Sequence, residues 1–255
     1  MRIDRLAVAA ACALALAAVP VLAEDLTIVY KTTGASGAGI ATSYFSSEKM
    51  RMSDAERDVI VEYGPGRIVS IDKKKKEYSE VTLAELEAAM KAASERMQAM
   101  NTQMANMPPA VREKMQGMMG GGAVSVTKGA TRKVAGYDCQ DYEVVMAALV
   151  KTQVCATTAI TPPSPNVDFR RFSSFAGAAG SMAGNPMFRN VAEEMKKIQG
   201  FTLAETSSMK IMGRSMDSSK EATEVKRGPI QPATFDVAAL TQGYKKVASP
   251  TAHMK

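Results

Sequence analysis

The chain has 255 residues, a formal charge of +6, 46% hydrophobic residues and only 5% aromatic ones. Charges of both signs interleave along it, which argues against a nucleic-acid-binding protein with its clustered basic face but is compatible with contact at an anionic membrane surface. With one histidine, three cysteines and 19 methionines, it is also poorly stocked for metal or nucleophilic chemistry.

The N-terminus reads as a cleavable signal peptide. Arg2 and Arg5 precede an apolar run over residues 6–18, and Val21 and Ala23 occupy the −3 and −1 positions of an Ala-x-Ala-type site. The run falls short of the ~20 residues of a membrane span. Cleavage after Ala23 is expected, giving an exported protein, periplasmic or secreted. Lipidation at Cys12 is the alternative; it would leave a short apolar region before the cut and an apolar tail after it. The expected division is 1–23 signal peptide, 24–248 a single domain, and 249–255 a flexible C-terminal tail. No asparagine begins an Asn-x-Ser/Thr site, as suits a bacterial protein.

Residues 24–81 predict a meander of short antiparallel strands. Leu26, Ile28 and Tyr30 alternate with Thr27, Val29 and Lys31, and Val59, Val61 and Tyr63 alternate with Ile60 and Glu62. Gly64-Pro65-Gly66 marks one turn. The four lysines at 73–76 mark another, solvated or in contact with anionic lipid headgroups. Gly34-Ala35-Ser36-Gly37-Ala38-Gly39 reads as a loop, since no helix follows to make it a phosphate site.

The pattern changes at Thr82, an expected N-cap with Glu85 completing a capping box. Leu83, Leu86, Met90, Ala93, Met97, Met100, Met104 and Met107 then recur at steps of three and four, the stripe of a long amphipathic helix. Pro108-Pro109 must break or kink it, Val111, Met115 and Met118 resume the stripe, and Gly120-Gly121-Gly122 ends it. Strands return over 123–127, 131–135, 137–146 and 149–157. Helical spacing reappears at Phe169, Phe172, Phe175 and Met182, and again over 187–198. Two last strands, 201–212 and 215–226, precede a coil-like tail. The simplest assembly is α+β, one antiparallel sheet with helices across one face.

With Cys12 removed, Cys139 and Cys155 remain. A hairpin turn centred on Ala147 would oppose them across the ladder, together with Tyr142 to Thr152 and Val144 to Val150. A structural disulfide is expected. A redox pair lacks its Cys-x-x-Cys spacing, and free buried thiols are the remaining alternative.

No catalytic constellation emerges. His253 is the only histidine and sits two residues from the chain end, where no triad could hold it rigidly. No zinc spacing, Gly-x-Ser-x-Gly elbow or cofactor-binding motif is present. The paired methionines could bind Cu(I) as thioethers, but they share the stripe with Leu83, Leu86 and Val111, which suits apolar packing or a deformable ligand lining. Phe169-Arg170-Arg171-Phe172 fits a core-facing or an interfacial helix.

Lys49-Met50-Arg51, Thr131-Arg132-Lys133-Val134-Ala135-Gly136-Tyr137-Asp138-Cys139-Gln140-Asp141-Tyr142-Glu143-Val144, Cys155-Ala156-Thr157, the Glu221 to Lys226 stretch and Gly243-Tyr244-Lys245-Lys246-Val247 together resemble an exported bacterial domain-of-unknown-function family, number 4412. That family is similar to the carriers of outer-membrane lipoproteins, LolA and LolB. The resemblance implies an incomplete antiparallel barrel whose concave apolar face is covered by helices and accepts acyl chains. The expected function is therefore non-enzymatic binding of a lipid, acyl chain or acylated protein. Leu86, Met90, Met97, Met100, Met104, Met107, Phe172 and Phe175 are the candidate apolar lining. A cell-envelope interaction module with a filled core is the alternative.

Overall fold

A computed structural model describes residues 24–34, 37–105, 108, 124–146, 150–163, 193–211 and 214–249. The signal-peptide stretch, the segment holding Phe172 and Phe175, and residues 250–255 lie outside these. Twelve strands form one sheet: β1 (Leu26–Gly34), β2 (Gly37–Phe45), β3 (Lys49–Ser53), β4 (Arg57–Glu62), β5 (Arg67–Asp72), β6 (Glu77–Thr82), β7 (Val124–Val134), β8 (Tyr137–Met146), β9 (Val150–Thr157), β10 (Phe201–Ile211), β11 (Arg214–Arg227) and β12 (Lys245–Lys246). Their order is β12-β6-β5-β4-β3-β2-β1-β11-β10-β9-β8-β7. All pairs are antiparallel except β12 on β6.

The first strand thus becomes the middle of the sheet, and its apolar side is buried completely: Leu26 and Ile28 have no exposure and Tyr30 has 3%. The turns follow local chemistry. Ala135 and Gly136 have φ of +49° and +85°, the double positive φ of a tight hairpin whose twist matches its strands. The Gly-rich stretch expected as a loop is mostly strand: Gly34 pairs with Gly37, and β2 continues through Ala38 and Gly39.

The sheet curls on itself. A bulge opposes Tyr30 and Val29 to a longer stretch of β11, and a second one places Leu203 as an extra residue in β10. Bulges sharpen bend and twist locally. On a flat sheet β7 and β11, four steps apart, would be separated by about 19 Å. Instead Arg132 of β7 meets Glu221 of β11 at 3.1 Å, and the rings of Phe45 and Phe201 from β2 and β10 meet edge-on at 5.6 Å. One core cluster consequently joins Leu26, Phe45, Met50 and Val61 to Cys139, Cys155 and Leu203.

The disulfide Cys139–Cys155 is present, with Cα atoms 5.5 Å apart. The expected register is not. Tyr142 pairs with Val154, Val144 with Thr152 and Met146 with Val150, so Cys155 stands opposite Asp141 and the bridge runs diagonally.

Helix α1 spans Leu83–Ala105. Its capping box forms as expected: Thr82 N–H and hydroxyl donate to Glu85 Oε2 at 2.8 and 2.9 Å, and Glu85 N–H donates to Thr82 Oγ1 at 3.2 Å. The helix's main contact among the described elements is with β6. A Met-faced helix laid across the concave face, as expected from the stripe, is therefore not shown. Of the second predicted helix over 187–198, the described part holds one helical turn at residues 193–195.

The tail expected as coil is ordered against the outer side of β4 and β5. A 3-10 turn (Pro232–Phe235) leads into α2 (Val237–Leu240), capped by the Asp236 carboxylate, which accepts from Ala238 and Ala239 N–H. Val237, Leu240 and Tyr244 cover Ile60, Val69 and Ile71. Strand β12 then occupies the open edge of β6, which would otherwise present unpaired backbone groups. Among the described residues, no helix is long and apolar enough to cross a membrane, which says nothing about β-barrels.

Candidate functional site

The curl leaves a cleft of about 910 Å³ between the middle strands and the segment after β9. Register explains its lining. Tyr30 on β1, Ser43 and Phe45 on β2, and Met50 and Met52 on β3 share one face, because Phe45 pairs with Met50 and Ser43 with Met52. Thr158, Ile160 and Pro162 form one wall, and residues 200–205 of β10 and its approach form the floor. The lining is dominated by apolar groups, as in sites for small ligands.

Two charged groups stand out. Glu205 and Lys220 are direct cross-strand partners on β10 and β11. Glu205 is exposed, whereas Lys220 is half-buried with its Nζ 4.0 Å from the Tyr30 ring centroid, a cation–π contact. Burial pushes the Lys220 ammonium below the ordinary lysine value, and Glu205 partly offsets this. Burial drives the Tyr30 phenol far above the ordinary tyrosine range, so it remains neutral.

Gly200 shapes the floor. Its φ is +97°, and a Cβ there would collide with the Thr157 carbonyl. Gly200→Ala is expected to cost about 1–3 kcal/mol from backbone strain alone, read as a lower urea midpoint at unchanged m-value. A midpoint within error of the parent would show that the floor adjusts.

The residues expected to line the site fall elsewhere or cannot be placed. Leu86 is buried, at 6% exposure, on α1 and is not among the cleft residues. Met90, Met97, Met100 and Met104 are on α1, with side chains outside the described set; Met107, Phe172 and Phe175 lie outside the described residues altogether. The cleft's own methionines, Met50 and Met52, come from β3. Their signal is alternation along a five-residue strand, weak beside the helical stripe. The lysine turn is also split: Lys74, Lys75 and Lys76 are exposed, but Lys73 reaches inward to Asp58 at 3.1 Å. Among the described residues, no group of three or more His, Cys, Asp or Glu is arranged to hold a metal ion.

No protein-family model matches the sequence, so the expected family is not confirmed, and no curated protein matches it either. Solved structures do overlap with it. PNGF-II shares 12% identity over 91% of this chain and 32% of its own, with a TM-score of 0.41. An uncharacterized conserved protein from Thermus thermophilus shares 5% over 89% of this chain and 92% of its own, at 0.45. MucB, also solved in complex with MucA(peri), shares 7% over 85% of this chain, at 0.39. This chain spans about a third of PNGF-II and 58% of MucB. At these identities and TM-scores the overlap carries no argument about this chain.

Proposed function

We propose that this protein is an exported, non-enzymatic, periplasmic protein that binds a hydrophobic ligand: a lipid, an acyl chain or an acylated protein. The observation that carries the reading is the 910 Å³ cleft with its apolar lining, within the ~300–1,000 Å³ typical of small-ligand sites. An apolar chain entering it would leave water for contact with Met52, Pro162 and Phe201 and with the edges of Phe45 and Met50, gaining about 0.8 kcal/mol per buried methylene. Methionines suit this task because an unbranched thioether adapts to irregular partners. Export agrees with the buried disulfide, a bond that persists in oxidising compartments.

Native mass spectrometry with lipid extraction, on protein isolated without detergent, tests this. A stoichiometric acylated species is expected. Met52→Trp, at the half-open mouth where Met52 is 38% exposed, should displace it while leaving the fold intact. An unliganded mass that stays unchanged on adding phospholipid or acyl peptide would refute ligand binding and favour an interaction module with a permanently plugged sheet.

A further inference from the structure

Lys220 is the only cation among the described lining residues of the cleft. A half-buried ammonium normally has a carboxylate in reach, because removing a lone charge from water is costly. Here the described residues form no ion pair with it. Glu205 stands directly opposite in register, yet it is exposed and the two do not come within salt-bridge distance. Lys220 instead lies over the Tyr30 ring, which steadies the cation from one side without neutralising it. On that aromatic platform, the ammonium is left beside apolar floor and walls. The competing sign is weak: Glu205 is solvated at the rim, where water screens its attraction for a cation.

Resting on the reading that the cleft takes an apolar ligand, we propose that its occupant is an anionic single-chain amphiphile whose head group is held by Lys220 on the Tyr30 ring. The hydrocarbon tail lies along Met52 and Phe201, over the edges of Phe45 and Met50. The head group completes the ion pair that the described residues leave unmade, and the tail displaces water from the lining. A carboxylate and a phosphate share the required chemistry, a compact anion at the end of a chain.

The test is calorimetric titration of the full-length exported protein with laurate, dodecanol and dodecyltrimethylammonium, each below its micellar concentration at pH 8. These probes share one tail and differ in head charge. Laurate is expected to bind about tenfold more tightly than either of the others, equivalent to about 1.4 kcal/mol. Lys220→Met should abolish that preference, bringing laurate to the affinity that the same variant shows for dodecanol, and Lys220→Arg should restore it. Equal binding of the three heads by the unaltered protein would overturn the anchor and spare the apolar cleft; this comparison needs no variant to fold. Survival of the preference in Lys220→Met also overturns it, by moving the head elsewhere. Failure to bind any of the three would overturn both the anchor and the ligand-binding reading.

Discussion

Replacing Asp58 with alanine is expected to lower the stability of this protein by about 3–5 kcal/mol, the cost typical of removing one partner from a buried ionic network. Asp58 is only 2% exposed. Its carboxylate accepts from Arg51 Nε at 3.3 Å and Nη2 at 3.1 Å, and Lys73 Nζ lies 3.1 Å away. The effect extends beyond the pair, because Arg51 Nη1 also donates to the Thr234 carbonyl at 2.7 Å. The same guanidinium therefore joins β3, β4 and the C-terminal segment that covers Ile60, Val69 and Ile71. Without Asp58, two cations lose their anion in a site with little water, and the tether to residue 234 loses its orientation. Urea unfolding should show the loss, and limited proteolysis should cut after residue 228 sooner. A double-mutant cycle with Arg51→Met separates the pair from its surroundings: the second substitution should cost much less once Asp58 is absent. A loss below about 1 kcal/mol would place this network among ordinary surface pairs.

What the sequence discloses here depends on how local the signal is. The alternation of Leu26, Ile28 and Tyr30 marks a half-buried strand, and β1 is one, because a period of two needs only its own side chains to be legible. The capping box at Thr82 and Glu85 is legible for the same reason. Strand β2 is harder: Gly37, Gly39 and Ser43 dilute its pattern, and burial comes from neighbours far along the chain. The β8–β9 register fails for a more specific reason. Pairing Tyr142 with Val154 rather than Thr152 moves the partner by two residues, which leaves each side chain on the same face, so hydrophobic pattern cannot distinguish the two. Turn chemistry could, but Met146-Ala147-Ala148-Leu149 contains no Gly, Asn, Asp or Pro to fix it.

The cleft is less legible still. Its lining comes from β1–β3, from the segment after β9 and from β10–β11, brought together by curl and by two bulges that no local pattern announces. Lys220 could have been noticed as a cation in step with Ala222. That inference needs the bulge opposite Tyr30, since without it Lys220 would be assigned to the other face. The methionine stripe is legible because a helix repeats within one segment, whereas Met50 and Met52 lie in a strand of five residues, too short to repeat.

Cys139→Ala with Cys155→Ala is expected to cost about 3 kcal/mol, the figure for closing a loop of ~15 residues in the unfolded chain; the two cysteines are 16 residues apart. Both are 1% exposed and belong to the core cluster that includes Leu26 and Phe45, so the substitutions also remove buried sulfur contacts. The bond joins β8 to β9 diagonally, and Cys155 is in register with Ala204 on the cleft floor. A loosened β9 therefore reaches the ligand site directly. Urea unfolding of the oxidised protein, the fully reduced protein and the double alanine variant checks the size of the effect: the last two should both have midpoints well below the first, with the alanine variant the lower of the two by its lost sulfur contacts. Acyl-chain affinity should fall in both before global unfolding, since the floor opens first. If all three unfold together, the bridge contributes nothing beyond the two side chains it replaces. Oxidising conditions would then confer no advantage, and the disulfide would no longer support export.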